Sequence, residues 1–143
     1  MSEGNDRDAG RDGGAGRDGG AAAAIALAHA LFDAARQGDR STLMRYLDAG
    51  VPFTLTNTAG DSMLMLAAYN GHPGVVRDLL ARGAEPDQAN DRGQTPLAGA
   101  VFKGHTDVVR LLVEAGADPD AGTPSARAAA DMFGRTEIVA LFA

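Results

Sequence analysis

The side chains able to do chemistry are few, and their spacing argues against most of it. His72 and His105 stand 33 residues apart, each directly after a glycine. Placed on neighbouring packed helices they would be ~8–10 Å apart. Zinc holds nitrogen ligands at ~2.0–2.1 Å, so the pair does not converge on one ion. Both read as turn histidines that bond nearby backbone, and His29 reads as a helix-surface or core residue. Glu85 and Asp87 recur one repeat later as Asp118 and Asp120, where turn and capping roles suit them better than cation binding. Ser41, Ser62 and Ser125 each precede an apolar stretch and read as helix caps, not nucleophiles. The chain lacks the G-x-x-x-x-G-K-[ST] phosphate loop. With no cysteine it has no thiol nucleophile, disulfide or Cys-based zinc site. The expected chemistry is therefore non-covalent, with no catalytic residue, no metal and no cofactor.

The spacing that separates the histidines runs through the middle of the chain. Asn57–Ala89 and Asn90–Gly122 share 14 identities in 33 positions, where chance gives roughly two or three. Gly60 falls on Gly93, Gly71-His72 on Gly104-His105, Val75-Val76-Arg77 on Val108-Val109-Arg110, and Gly83-Ala84 on Gly116-Ala117. A fixed period of this length marks a repeat array. Within each unit a turn precedes a capped helix, a Gly-His turn leads to a second helix, and a glycine ends the pair. Ser62 caps about Met63–Asn70, and Thr95 with Pro96 starts the equivalent helix. Helices of about eight residues do not persist alone in water. They need Val75, Val76, Leu79 and Leu80 to pack on Val108, Val109, Leu112 and Val113 of the next unit.

The ends of the array are degenerate. Leu31, Ala34, Ala35, Gly38, Leu47 and Gly50 lie one period before their counterparts in the second unit. The first helix is expected over Ala21–Gly38, its apolar stretch buried, and the next over about Ser41–Ala49, capped by Asp39 or Ser41. Matching Gly134 to Gly104 leaves the last unit three residues short. Its helices are expected over Ser125–Phe133 and Thr136–Ala143. Arg127 and Asp131 replace Leu97 and Val101 there, as suits the polar end of an array. The units are about 24–56, 57–89, 90–122 and 123–143. Residues 1–20, Gly, Asp and Arg in near-repeats, hold no large apolar residue beyond Met1 and are expected to be a disordered tail.

Composition excludes several classes of partner. The formal net charge is −6 and Lys103 is the single lysine, so there is no electrostatic footprint for nucleic acid. Ala21–Phe32 is apolar apart from His29 but is only twelve residues long, short of the ~20 that span a bilayer. The first twenty residues lack the apolar core of a signal peptide. A cytoplasmic monomer is expected, and Ala, Gly, Arg and Asp in excess over lysine suggest a GC-rich bacterial genome.

These residues resemble the ankyrin repeat family. Gly93-Gln94-Thr95-Pro96-Leu97, Gly104-His105, Val108-Val109-Arg110-Leu111-Leu112 and Gly116-Ala117-Asp118-Pro119-Asp120 carry the resemblance, together with the period. It implies an all-α, ankyrin-type α-solenoid of about four helix-pair repeats with short β-hairpin or turn fingers. It also implies protein–protein binding through the concave face of fingers and inner helices. Met65 or Ala98 stands where the family usually has His, and Gly99 where Leu is common, which leaves room for a small recess.

Binding residues are expected where the apolar core register leaves side chains over. Arg36-Gln37, Tyr69-Asn70 and Phe102-Lys103 form one row at the period, and stacking continues it to Met132-Phe133. Paired aromatics beside a cation suit an interface anchor. The expected partner-binding residues are Tyr69, Asn70, Phe102, Lys103 and Arg36, with Thr58, Asp61, Asp91, Arg92 and Gln94 on the fingers. The expected function is non-catalytic binding of a protein partner. The alternatives are a regulatory subunit or inhibitor of one enzyme, and a small-molecule sensor or catalyst.

Overall fold

The computed structural model describes residues 12–142, with side chains for residues 20–142. Contacts divide the chain between Ala30 and Leu31, and the two parts are taken separately. The first helix, α1, spans Asp12–Gln37. Most of the expected disordered tail, residues 1–11, lies outside the described residues. From Asp12 the chain is helical, nine residues ahead of the expected start at Ala21. The Ala21–Ala24 run has the highest helix propensity of any residue type, and adding turns to an existing helix costs far less than nucleating one. Burial is also narrower than expected. Ala21–Ala26 is exposed, with Ile25 at 57%. Alanines have little area to bury, and their turns hold by propensity.

From Leu31 onward the expected helix pairs follow. They are α2 (Arg40–Asp48), α3 (Met63–Tyr69) with α4 (Pro73–Ala81), α5 (Pro96–Lys103) with α6 (Thr106–Glu114), and α7 (Ala126–Met132) with α8 (Thr136–Val139). Helices α3, α5 and α7 stack as an inner row, and α6 packs on α4 as an outer one. The caps are those the sequence named. Ser62 Oγ accepts from Met65 N at 3.0 Å, Thr95 Oγ1 from Ala98 N at 3.1 Å and Ser125 Oγ from Ala128 N at 3.1 Å. Asp39, not Ser41, caps α2. Hydrogen bonds from Thr42 hold its carboxyl below the usual range.

Burial follows position in the stack. Every residue of Met63–Ala68 and of Pro96–Val101 is buried, and α5 has an inner-row neighbour on both sides. In α7, which has one, only Ala126, Ala129 and Ala130 are buried. The outer row buries Val75, Val76 and Leu79 against Val108, Val109 and Leu112, while Leu80 and Val113 stay half-buried. Full burial of such a side chain is worth about 1.5–3 kcal/mol, and most of it is available only between units. The terminal helix is shorter than expected. α8 ends at Val139 and tightens to a 3-10 turn over Ala140–Phe142. Arg127, 2.8 Å from Asp120 and stacked over the Phe142 ring, makes this end polar.

A ladder of hydrogen bonds crosses the units. His72 Nε2 donates to Arg36 O at 2.6 Å, and His105 Nε2 to Tyr69 O at 3.1 Å. In the last unit Arg135 takes this place, its Nη2 donating to Phe102 O at 3.1 Å. Each acceptor is a carbonyl in the last turn of an inner helix, which has no partner within the helix. The histidines therefore bond backbone of the preceding unit, not the nearby backbone expected from sequence. A carbonyl can only accept, so Nε2 carries the proton in both rings. Gly71 explains the Gly-His pairing. Its φ is +77°, and a Cβ there would lie 2.6 Å from the His105 ring.

The fingers are turns and not hairpins. Among the described residues one antiparallel bridge forms, between Thr56 and Ser62. Asn57 Oδ1 accepts from Ala59 N and Asp61 N, both at 2.9 Å, and Asn90 Oδ1 from Arg92 N and Gln94 N, both at 3.0 Å. Successive fingers join through Asp91 N to Ala59 O and Thr123 N to Gly93 O, each 3.0 Å. On the outer side Arg40 pairs with Asp78 and Arg82 with Asp48. Exposed pairs of this kind contribute little.

His105→Ala is expected to cost about 1–2 kcal/mol, one cross-unit bond with its acceptor left unpaired. Gly71→Ala should cost more, since it adds a strained φ to the same broken contact. Chemical denaturation of both variants checks the order. Equal stability of His105→Ala and the native chain would remove the ladder from the account.

Candidate binding face

The inner helices end in step. Tyr69 closes α3, Phe102 lies in the last turn of α5, and Met132-Phe133 closes α7. These residues are 38%, 47%, 68% and 46% exposed, although Met65–Ala68 and Ala98–Val101 just before the first two are buried. The Tyr69 and Phe102 rings are nearly parallel, with centroids 6.5 Å apart and planes 10° apart. Phe133 meets Phe102 edge-on at 5.1 Å. Lys103 Nζ sits 5.1 Å from the Tyr69 centroid, and the Arg135 guanidinium 5.7 Å from that of Phe133.

Beneath the rings lies an open groove of about 260 Å³. Met65, Tyr69, Ala98, Gly99, Phe102, Ala129, Met132 and Phe133 line it, with Gln94 and Pro124 toward the fingers. The recess expected at Ala98 and Gly99 is its floor. A Cβ on Gly99 would lie 3.2 Å from Met65 Cε and 3.3 Å from Tyr69 Cδ1. The missing side chain is thus what lets Tyr69 and Met65 lie close against α5. A second concavity of about 260 Å³ adjoins on the finger side, lined by Asp61, Met65, Leu66, Tyr69, Arg92 and Gln94.

Comparison with known proteins bears on this arrangement. A family model for ankyrin repeats, in three copies, matches residues 31–123. The chain belongs to the ankyrin repeat family. It is 53% identical over 49 residues to a putative ankyrin repeat protein of Pseudomonas aeruginosa, covering 34% of this chain and 29% of that protein. It is 42% identical over 60 residues to the human ankyrin repeat domain-containing protein 29, covering 41% of this chain and 20% of that one. The matched stretches thus span less than a third of either relative. Ankyrin repeats are in general protein–protein interaction modules. Among the described residues no helix is long and apolar enough to cross a membrane. No group of three or more His, Cys, Asp or Glu among them could hold a metal ion.

The ankyrin geometry sorts the residues expected to bind. Tyr69, Phe102 and Gln94 come together on the groove, with Lys103 at its edge. Asp61, Arg92 and Gln94 meet on the finger-side concavity. Asp61 is half-buried and already accepts from Asn90 Nδ2 at 2.8 Å and Asn57 Nδ2 at 3.3 Å. Gln94 Oε1 likewise accepts from Asn90 Nδ2 at 2.8 Å. Asn70 is exposed, its amide donating to Leu66 O at 2.8 Å as α3 ends. Arg36 is exposed and paired with Asp33 at 2.7 Å, away from the groove. Thr58 and Asp91 are exposed on the fingers and line neither concavity.

Some lining residues were not legible as site residues. Met65 and Pro124 carried no outward signal, and Met65 stands where ankyrin repeats usually have His. The row pointed to Met132-Phe133, but the three-residue deletion hid which of the two faces the groove; both do. Arg135 follows Gly134 as His105 follows Gly104, a signal that could have found its bond to Phe102 O.

Gly99→Ala tests the floor of the groove. The gain in helix propensity, about 1 kcal/mol, should be offset by pressure on Tyr69 and Met65, leaving stability within about 1 kcal/mol of the native chain. The Tyr69 ring resonances should move in NMR spectra. A gain of the full propensity with unmoved resonances would mean that Gly99 does not set the ring position.

Proposed function

We propose that this ankyrin chain is a non-catalytic module that binds a protein partner through the row Tyr69, Phe102 and Phe133, acting as a monomer in a bacterial cytoplasm. The observation that carries this reading is a set of large apolar side chains left exposed at the ends of α3, α5 and α7, in the first two directly after a fully buried run. Ring anchors of this kind dominate interface energetics when a partner covers them. Lys103, Arg92, Asp61 and Asp91 would set polarity and register at the margins. An enzyme or small-molecule sensor calls for an enclosed site with converging polar groups. Here the groove is open, and the polar side-chain groups among its lining residues are the Gln94 amide and the Tyr69 hydroxyl.

The test is affinity capture from an extract of the native cell, comparing the native chain with Tyr69→Ala plus Phe102→Ala. The double variant should lose the captured partner and keep its helical circular dichroism. Half-buried rings make its stability loss about 2–3 kcal/mol in total. Undiminished capture would move binding to another surface. Loss of the folded state would assign the rings to the core. One stoichiometric enzyme in the captured material would narrow the module to a regulatory subunit or inhibitor.

A further inference from the structure

The chemistry of the groove restricts what can lie in it, given the binding reading above. Its lining offers a partner apolar surface and two polar side-chain groups, the Tyr69 hydroxyl and the amide of Gln94, whose oxygen already accepts from Asn90. Among the described residues no strand forms, so no sheet edge adjoins it. An extended segment laid there would bury more of its own N–H and C=O groups than these two can satisfy, and each group left over is costly. A helix satisfies its backbone internally and presents only side chains.

Charge then orients the helix. The groove has a finger edge and an edge where the inner helices end. At the finger edge Arg92 is accompanied by Asp61 and Asp91. At the other edge Lys103 and Arg135 sit over the rings of Tyr69 and Phe133, and neither lies within ion-pair distance of a carboxylate among the described residues. Arg135 Nε is moreover buried without a hydrogen-bond partner. This edge is cationic on a chain whose net charge is −6.

We propose that the occupant is an amphipathic helix of a partner protein, its apolar stripe on Tyr69, Phe102 and Phe133 and its Asp/Glu flank along Lys103 and Arg135. From α3 to α7 is two helix spacings of ~8–10 Å, so about 11–13 residues cross the groove.

Three labelled 14-residue peptides test this against the full chain by fluorescence polarisation. One carries a Leu/Phe stripe with a Glu flank. Its twin carries a Lys flank. The third has the first peptide's stripe and flank but a central proline that prevents a helix. The Glu-flanked peptide should bind at least about ten-fold tighter than its twin, and the difference should shrink at high salt. Lys103→Glu should abolish or reverse that preference, and the proline peptide should not bind. Equal binding of the twins, equal binding of the proline peptide, or no binding of the Glu-flanked peptide overturns the proposal. If native capture depends on Tyr69 and Phe102 but is indifferent to Lys103→Glu, this inference fails and the binding reading stands. If peptides bind equally well to the Tyr69→Ala, Phe102→Ala variant, both fail.

Discussion

No helix from α2 onward can stand by itself, and everything else follows from that. The inner helices are seven or eight residues long, well below the length at which an isolated helix persists in water. Their side chains reach full burial only between two neighbours. Their last carbonyls, exposed by the end of each helix, are taken by the ring of a histidine, or the guanidinium of Arg135, from the unit that follows. Apolar burial supplies most of the energy and is tolerant of sliding. The hydrogen bonds are directional, so they fix the register in which each unit sits on the last.

That register creates the binding face as a by-product. Once each inner helix is aligned through its last turn, the residues at its end fall into a row. The core has already taken one face of each helix. A large apolar residue in that turn finds a neighbouring ring and solvent, but no enclosure. Tyr69, Phe102 and Met132 occupy this position, with Phe133 one residue further on, and small residues beneath them, Ala98, Gly99 and Ala129, keep the floor low. Cations at the row's edge lie over the rings and not beside carboxylates. The surface is therefore apolar, one-sided in charge and poor in backbone groups.

Architecture was legible because it is carried by local chemistry repeated at a fixed interval. Ser62, Thr95 and Ser125 cap the helices they precede, and the buried valines and leucines of α4 and α6 sit at the positions their periodicity assigned. The less legible parts depend on three-dimensional neighbours. Nothing in the local sequence says that His105 reaches a carbonyl 36 residues back. Nor could a residue type reveal that Asp61 and Gln94 are held by Asn90, which draws two expected binding residues into the joint between fingers. The start of α1 was misplaced for a different reason: glycine content argues against helix locally, and extension from the alanine run opposes it.

The central claim is that stacking leaves the ends of α3, α5 and α7 free for a foreign protein. Amide hydrogen exchange of the full chain, alone and with its captured partner, tests this most directly. The account predicts added protection at residues 65–71, 98–104 and 129–135, with the outer helices α4 and α6 unchanged. Protection gained on α4 and α6 instead, with the aromatic row unaffected, would contradict it.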